Sequence, residues 1–164
     1  MTQRGESYIQ QLDAIFNEYQ SLLNQIGDDQ WQSIADEDGR QINVMVDHVV
    51  IVQQNMTDVV RLAAAGKPLP EFTMDDIEAG NLVHMAEARE VGRADLTNRM
   101  QQAMDDYRML FAGLTDAELD RTTYFVFFGG DVSPAIVTEQ AMIVHAGSHL
   151  PPLRSAVEAL SPTG

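Results

Sequence analysis

The stretch AMIVHAGSHLPPLRSAVEAL, residues 141–160, decides how this chain is read. His145 and His149 are four residues apart, so on a helix their imidazoles project from one face, close enough to share an ion. Val137 and Ala141 precede them at i−8 and i−4, an apolar stripe that turns the pair toward an interior. Upstream, Ser133 can cap and Pro134 takes the first-turn position that proline tolerates, so the helix is expected to open there. Downstream, Pro151-Pro152 removes two backbone donors and predicts a kink or a restart straight after His149.

Working outward, a second apolar-periodic run spans residues 41–65 and stops at Gly66, with Pro68 and Pro70 just beyond. His48 sits inside it, with Val44 at i−4 and Ile51 and Val52 at i+3 and i+4, again on an apolar face. Asn55 follows two turns later on the same face and is a candidate substrate contact. The first helix is expected to start at a Ser7–Gln10 capping box and to run to Gly27 on the stripe that includes Tyr8, Leu12, Phe16 and Tyr19. Residues 66–76 read as a loop, 77–91 as a shorter helix, and 94–114 as a further long one after Gly92. Thr115 with Glu118 makes a second capping box over a short turn, residues 116–120.

Tyr124 to Phe128 is aromatic and β-branched but has no partner strand nearby, so it is expected to pack as an extended segment outside any sheet. Gly129, Gly130 and Asp131 then form a turn. Four long helices with short connections predict an all-α four-helix bundle with short extra helices in the connections, one domain over residues 1–164.

Composition narrows the function classes. Ten Lys and Arg against twenty-five Asp and Glu give a net charge of −15, which repels phosphate backbones and anionic headgroups. Nucleic acid and membrane surfaces are therefore not expected as partners. Without cysteine there is no disulfide, thiolate metal ligand or cysteine nucleophile. No signal peptide or membrane-length apolar run is visible, and a cytoplasmic protein is expected. A di-iron bundle needs paired Glu-x-x-His motifs, and none is present; HExxH and G-x-S-x-G are absent as well.

An HxxxH pair alone is a weak metal signal, because histidines on apolar faces commonly serve as hydrogen-bonded core residues. The stretches VMVDHVVIVQQNM (44–56), DDIEAGNLVHMAEA (75–88) and AMIVHAGSHLPPLRSAVEAL (141–160) add to it. In their order and separation they resemble the DinB/YfiT-like superfamily, which includes the N-terminal domain of mycothiol-dependent maleylpyruvate isomerase. The resemblance implies a metal-binding four-helix bundle with His48, His145 and His149 as ligands of a divalent ion, zinc or nickel, with iron also compatible. It further implies small-molecule chemistry: S-transfer or isomerisation with a low-molecular-weight thiol, or hydrolysis. Three imidazoles leave a fourth position for water or substrate.

Asp47 and Glu139 are the nearest carboxylates in sequence to the candidate ligands, though neither shares its histidine's helix face. His84 is left outside the ligand set, Tyr107 and Tyr124 are read as packing tyrosines, and the acidic run at 36–38 as a solvated segment, with weak binding of a surface cation by Asp36 and Asp38 as the alternative. The competing expectation is a non-catalytic bundle that binds a small ligand or a protein, its histidines structural. Homodimerisation is compatible with either, but no strict heptad seam demands it.

Overall fold

The computed structural model describes residues 1–36 and 39–161. Helix α1 (Gln3–Leu23) begins at Thr2, whose hydroxyl accepts from the Gly5 amide at 3.0 Å. The expected start at Ser7 is overturned: Ser7 lies a full turn inside the helix, because Thr2 satisfies a first-turn donor earlier. The helix also ends before Gly27. Arg93 draws the chain off the helix axis there, donating to the carbonyls of Leu23, Ile26 and Gly27 at 2.7, 3.0 and 3.1 Å while its guanidinium lies 4.7 Å above the Trp31 ring. A cation over the final carbonyls of a helix is favoured by both hydrogen bonding and the dipole.

Helix α2 (Ile42–Ala64) carries the densest set of buried residues and ends in a Schellman motif. Gly66 takes φ +67°, its amide donating to Ala63 O and that of Lys67 to Leu62 O. Helix α3 (Met74–Glu87) opens on a reciprocal Thr73–Asp76 capping box, three residues earlier than the apolar periodicity indicates, and hands over to a 3-10 turn at Ala88–Glu90. Helix α4 (Arg93–Gly113) and the turn α5 (Asp116–Leu119) fall where expected.

The aromatic segment departs from expectation. Strand β1 (Thr123–Phe125) pairs antiparallel with β2 (Gly130–Val132) across a 3-10 turn, with Gly129 left-handed at φ +66°. The partner strand is the Gly130–Val132 segment that reads as a turn by composition. A left-handed glycine reverses the chain soon enough to bring it alongside.

The last helical run is composite: α6 (Pro134–Val137), π-helical Thr138–Val144, α7 (His145–Ser148) and α8 (Leu150–Leu160). Ser133 caps it, accepting from the Ile136 amide at 3.3 Å, with Pro134 in the first turn. The π segment places Thr138, Met142 and Ala146 in the core, all under 2% exposed, while Ala141 is only half-buried. The stripe ahead of the histidines therefore does not simply continue into the core, because a wider turn rotates the positions that follow it. At His149 the run restarts and Pro151 and Pro152 fall in the first turn of α8, where their missing donors are harmless.

Around the bundle the order is α1, α4, α2, last run, and back to α1. The first two helices in sequence thus stand diagonally. Leu12, Phe16 and Tyr19 of α1 meet Met104, Tyr107 and Phe111 of α4 in one continuous apolar core. Gly5 marks a close approach of α1 to α4, since a β-carbon there would lie 2.5 Å from the Phe111 carbonyl oxygen. Tyr107 donates to Asp13 at 2.7 Å and Tyr19 to the Ala146 carbonyl at 2.7 Å, which pins α1 to both of its neighbours. Helix α3 is different: it has no buried residue and lies against the outside of the bundle.

Candidate metal centre

Helix α2 presents His48, and the last run presents His145 and His149 at its restart, so the site joins two neighbouring walls of the bundle. One ring nitrogen from each histidine lies within 4.8 Å of the other two. His48 Nε2 and His145 Nε2 are 3.2 Å apart. Two nitrogens bound tetrahedrally at 2.0–2.1 Å from one ion stand about 3.3 Å apart, so this pair needs little movement to share one. The ring centroids are 5.2, 5.5 and 4.9 Å apart for the pairs 48–145, 48–149 and 145–149. The helix restart at the proline doublet therefore leaves His149 within reach of its partners.

Burial disfavours the imidazolium form. It pushes His48 down to about 3, helped by the neighbouring His145 and His149, and His145 down to about 4, helped by His149 and Arg40. His149 is lowered as well, first by burial and then by Arg40, against an opposing pull from Asp36. Three neutral imidazoles are the protonation state that a metal requires. The donor set, its spacing and its charge all fit a divalent ion of the imidazole-preferring kind.

The carboxylates near the ligands in sequence do not orient them. Asp47, 2% exposed, accepts from His84 Nε2 at 2.6 Å and is ion-paired with Arg99, while Glu139 accepts from the Tyr8 hydroxyl at 2.8 Å. Asp36 is ion-paired with Arg40 at 2.8 Å, and Asp38 lies outside the described residues. Tyr107 is spent on Asp13, and Tyr124 is 61% exposed on β1.

His48 and His145 form part of the wall of a cavity of about 990 Å³. Asn55 lines the same cavity, as its position two turns beyond His48 implies. So does His84, its ring 6.0 Å from that of His48. The Asp47–His84–Arg99 cluster is the part of the site that sequence reading missed. Its three members come from α2, α3 and α4, and its one local signal is the histidine in NLVH. The phenyl rings of Phe72, from the segment read as a loop, and of Phe127 and Phe128, from the segment expected only to pack, also reach the cavity.

A model of the DinB superfamily matches residues 11–150. The chain belongs to the DinB superfamily. Among solved structures, it superimposes on YfiT from Bacillus subtilis with a TM-score of 0.76 at 13% identity, over 98% of this chain and 90% of that one. That protein is described as a probable metal-dependent hydrolase with an unusual four-helix bundle topology. An uncharacterised protein from Escherichia coli UTI89 superimposes with a TM-score of 0.75 at 12% identity, over 94% and 93% of the two chains. At such identities the likeness is one of fold, and the fold is the four-helix bundle expected from the helix pattern, of the type that the family resemblance implied. No protein of curated function matches the sequence. Among the described residues, no helix is long and apolar enough to cross a membrane.

Proposed function

We propose that this DinB-superfamily protein is a metal-dependent enzyme acting on small molecules, hydrolytic in its basic chemistry, with His48, His145 and His149 holding a divalent ion. Zinc or nickel suits the all-imidazole set, and iron is tolerated by it. The observation that carries the reading is the convergence of three imidazoles held neutral by burial, from segments almost a hundred residues apart, two of them on the wall of a large cavity. A buried histidine kept only for packing normally has a protein partner for its polar nitrogens; among the described residues, the polar neighbour found for His48 is another of the three.

A bound ion would supply Lewis acidity and bring the pKa of a coordinated water to about 7. The protein's own part is to fix the three nitrogens on rigid helical walls, to keep them deprotonated at neutral pH, and to offer Asn55 as a hydrogen-bonding group for substrate on the same wall as His48. With a low-molecular-weight thiol as co-substrate, the same three-histidine site would support S-transfer, the ion supplying charge that favours the thiolate.

Elemental analysis of protein purified without a histidine tag or chelator tests the site, with His48→Ala and His149→Ala beside the wild type. Near-stoichiometric metal in the wild type and its loss from both variants is the expected result, followed by metal-dependent turnover in ester, amide and thiol-transfer screens. Wild-type protein that stays unloaded after zinc, nickel and iron are offered would leave a non-catalytic binding bundle as the better reading.

A further inference from the structure

Helix α3 has no residue in the core, yet it carries a regular inner stripe. Met74, Ile77, Asn81 and His84, at i, i+3, i+7 and i+10, all line the cavity beside the histidines. The face that would normally bury itself against a bundle faces an open volume. Gly80, on the same wall, has no atom within 4 Å of where a β-carbon would stand. Glycine inside a helix costs about 1 kcal/mol relative to alanine, and no neighbour at this position requires it. Its effect is to leave the cavity wide.

The other walls are mainly apolar, with Asn55 and Gln140 as their amide groups. Val52, Met56 and Val59 of α2 line the cavity together with the rings of Phe72, Phe127 and Phe128 and, with His48, run along three turns of helix, about 16 Å. Among the described residues, no lysine or arginine lines the cavity. The charged groups on its wall are Asp58 and Asp76, both exposed at the rim, the first ion-paired with Arg61 and the second accepting from the Thr73 amide. Arg40 acts on the histidines electrostatically and is ion-paired with Asp36, and it does not line the cavity. An anionic group on the body of a ligand would lose its hydration along these walls without gaining a cationic side chain.

We propose that the cavity takes a molecule with an uncharged aromatic or long aliphatic body, its polar head placed at the three histidines and its body lying between α2 and α3. This rests on the metal-site reading for the head and on the cavity walls for the body, and the two parts can be tested apart. The size agrees: cavities of 300–1,000 Å³ take drug-sized ligands.

The body is tested first on metal-free protein, with two fluorescent dyes that share one scaffold: uncharged N-phenyl-1-naphthylamine and its sulfonated relative 8-anilino-1-naphthalenesulfonate. The uncharged dye should bind at least about ten-fold tighter. Gly80→Trp, which fills the cavity from a position with room for a side chain, should weaken it about ten-fold while the thermal midpoint holds. Equal or tighter binding of the sulfonate, or no effect of Gly80→Trp, would overturn the proposal.

The head is tested on zinc-loaded protein with acetohydroxamic and octanohydroxamic acids. The longer tail should raise affinity about a hundred-fold in the wild type, below the full value of six buried methylenes, and much less in Gly80→Trp. Short-chain binding with less than a ten-fold gain from the tail refutes the inference and spares the metal site. Failure of acetohydroxamic acid to bind refutes the metal site, and the dye result still decides whether the cavity takes an uncharged apolar body.

Discussion

Acidifying the metal-free protein from pH 7.5 to pH 5 should remove about 4 kcal/mol of stability through His48 and His145 alone. Both histidines are held far below their ordinary value of 6.5 in the folded chain, at about 3 and about 4. Because the folded values are depressed, the unfolded chain takes up the protons first. The contribution is therefore intact above pH 6.5 and is lost progressively as the pH falls toward the folded values. At pH 5 an unfolded histidine of pKa 6.5 is 1.5 units into its titration while both folded rings are still neutral. At about 1.36 kcal/mol per unit this is about 2 kcal/mol for each ring, whatever the folded values are so long as they stay near 4 or below. The slope near pH 5 should correspond to about two protons, or about 2.7 kcal/mol per pH unit. Against a typical domain stability of about 5–15 kcal/mol, the effect is large enough to read directly. The assay is urea unfolding at several pH values, followed by the fluorescence of the single tryptophan, Trp31, which is 6% exposed. His48→Leu/His145→Leu serves as reference, since it keeps all other titrating groups. Wild type and double variant losing the same stability between pH 7 and pH 5 would refute the reasoning, for it would mean that the rings protonate within the folded bundle. With zinc bound, the wild-type loss should steepen, because protons then compete with the ion for the same nitrogens.

Three other perturbations probe parts of the scaffold. Asp47→Asn should cost about 1–2 kcal/mol in chemical denaturation, because Arg99 keeps Asp95 but loses its buried partner and the hold on His84 weakens; a loss under 0.5 kcal/mol would show that the cluster is not what ties α3 and α4 to α2. Gly5→Ala should destabilise by about 1–3 kcal/mol despite alanine's better helix propensity, since its β-carbon would meet the Phe111 carbonyl at 2.5 Å; an unchanged thermal midpoint would argue for a looser α1–α4 contact. Gln53→Met should raise the midpoint by about 2–4 °C, as it removes an amide whose oxygen and nitrogen are both buried without a partner and keeps its length; a lowered midpoint would show that the amide is satisfied in solution.

The helical framework was legible in the chain because amphipathic periodicity reports which side of each helix meets a core, whatever that core turns out to be. Residues 41–65 with Gly66 beyond, the Thr115–Glu118 box and the Ser133-Pro134 start are local devices, and each appears where its chemistry places it. His48, His145 and His149 were legible for the same reason. Their spacing put them on inward faces, and the resemblance to the DinB superfamily implied that they meet, which their ring nitrogens do, within 4.8 Å of one another. Net charge and the absence of cysteine removed whole classes of chemistry before any folding was considered.

What the structure alone decided are features in which one local signal overrides another and features that depend on segments distant in sequence. Thr2 rather than Ser7 begins α1, and Arg93, from the start of α4, is what meets the carbonyls at its end. The pairing of β1 with β2 turned on one left-handed glycine, where aromatic composition suggested only packing. The π-helical turns of Thr138–Val144 rotate Met142 into the core and leave Ala141 on the cavity wall, a change of register that i,i+4 counting does not register. His84 joins Asp47 and Arg99 only because α2, α3 and α4 come together at that point, and the cavity exists because α3 lies against the bundle without entering it. A sequence records which faces are apolar; whether such a face closes on another helix or on a space left for a ligand is settled by how the helices are arranged in three dimensions.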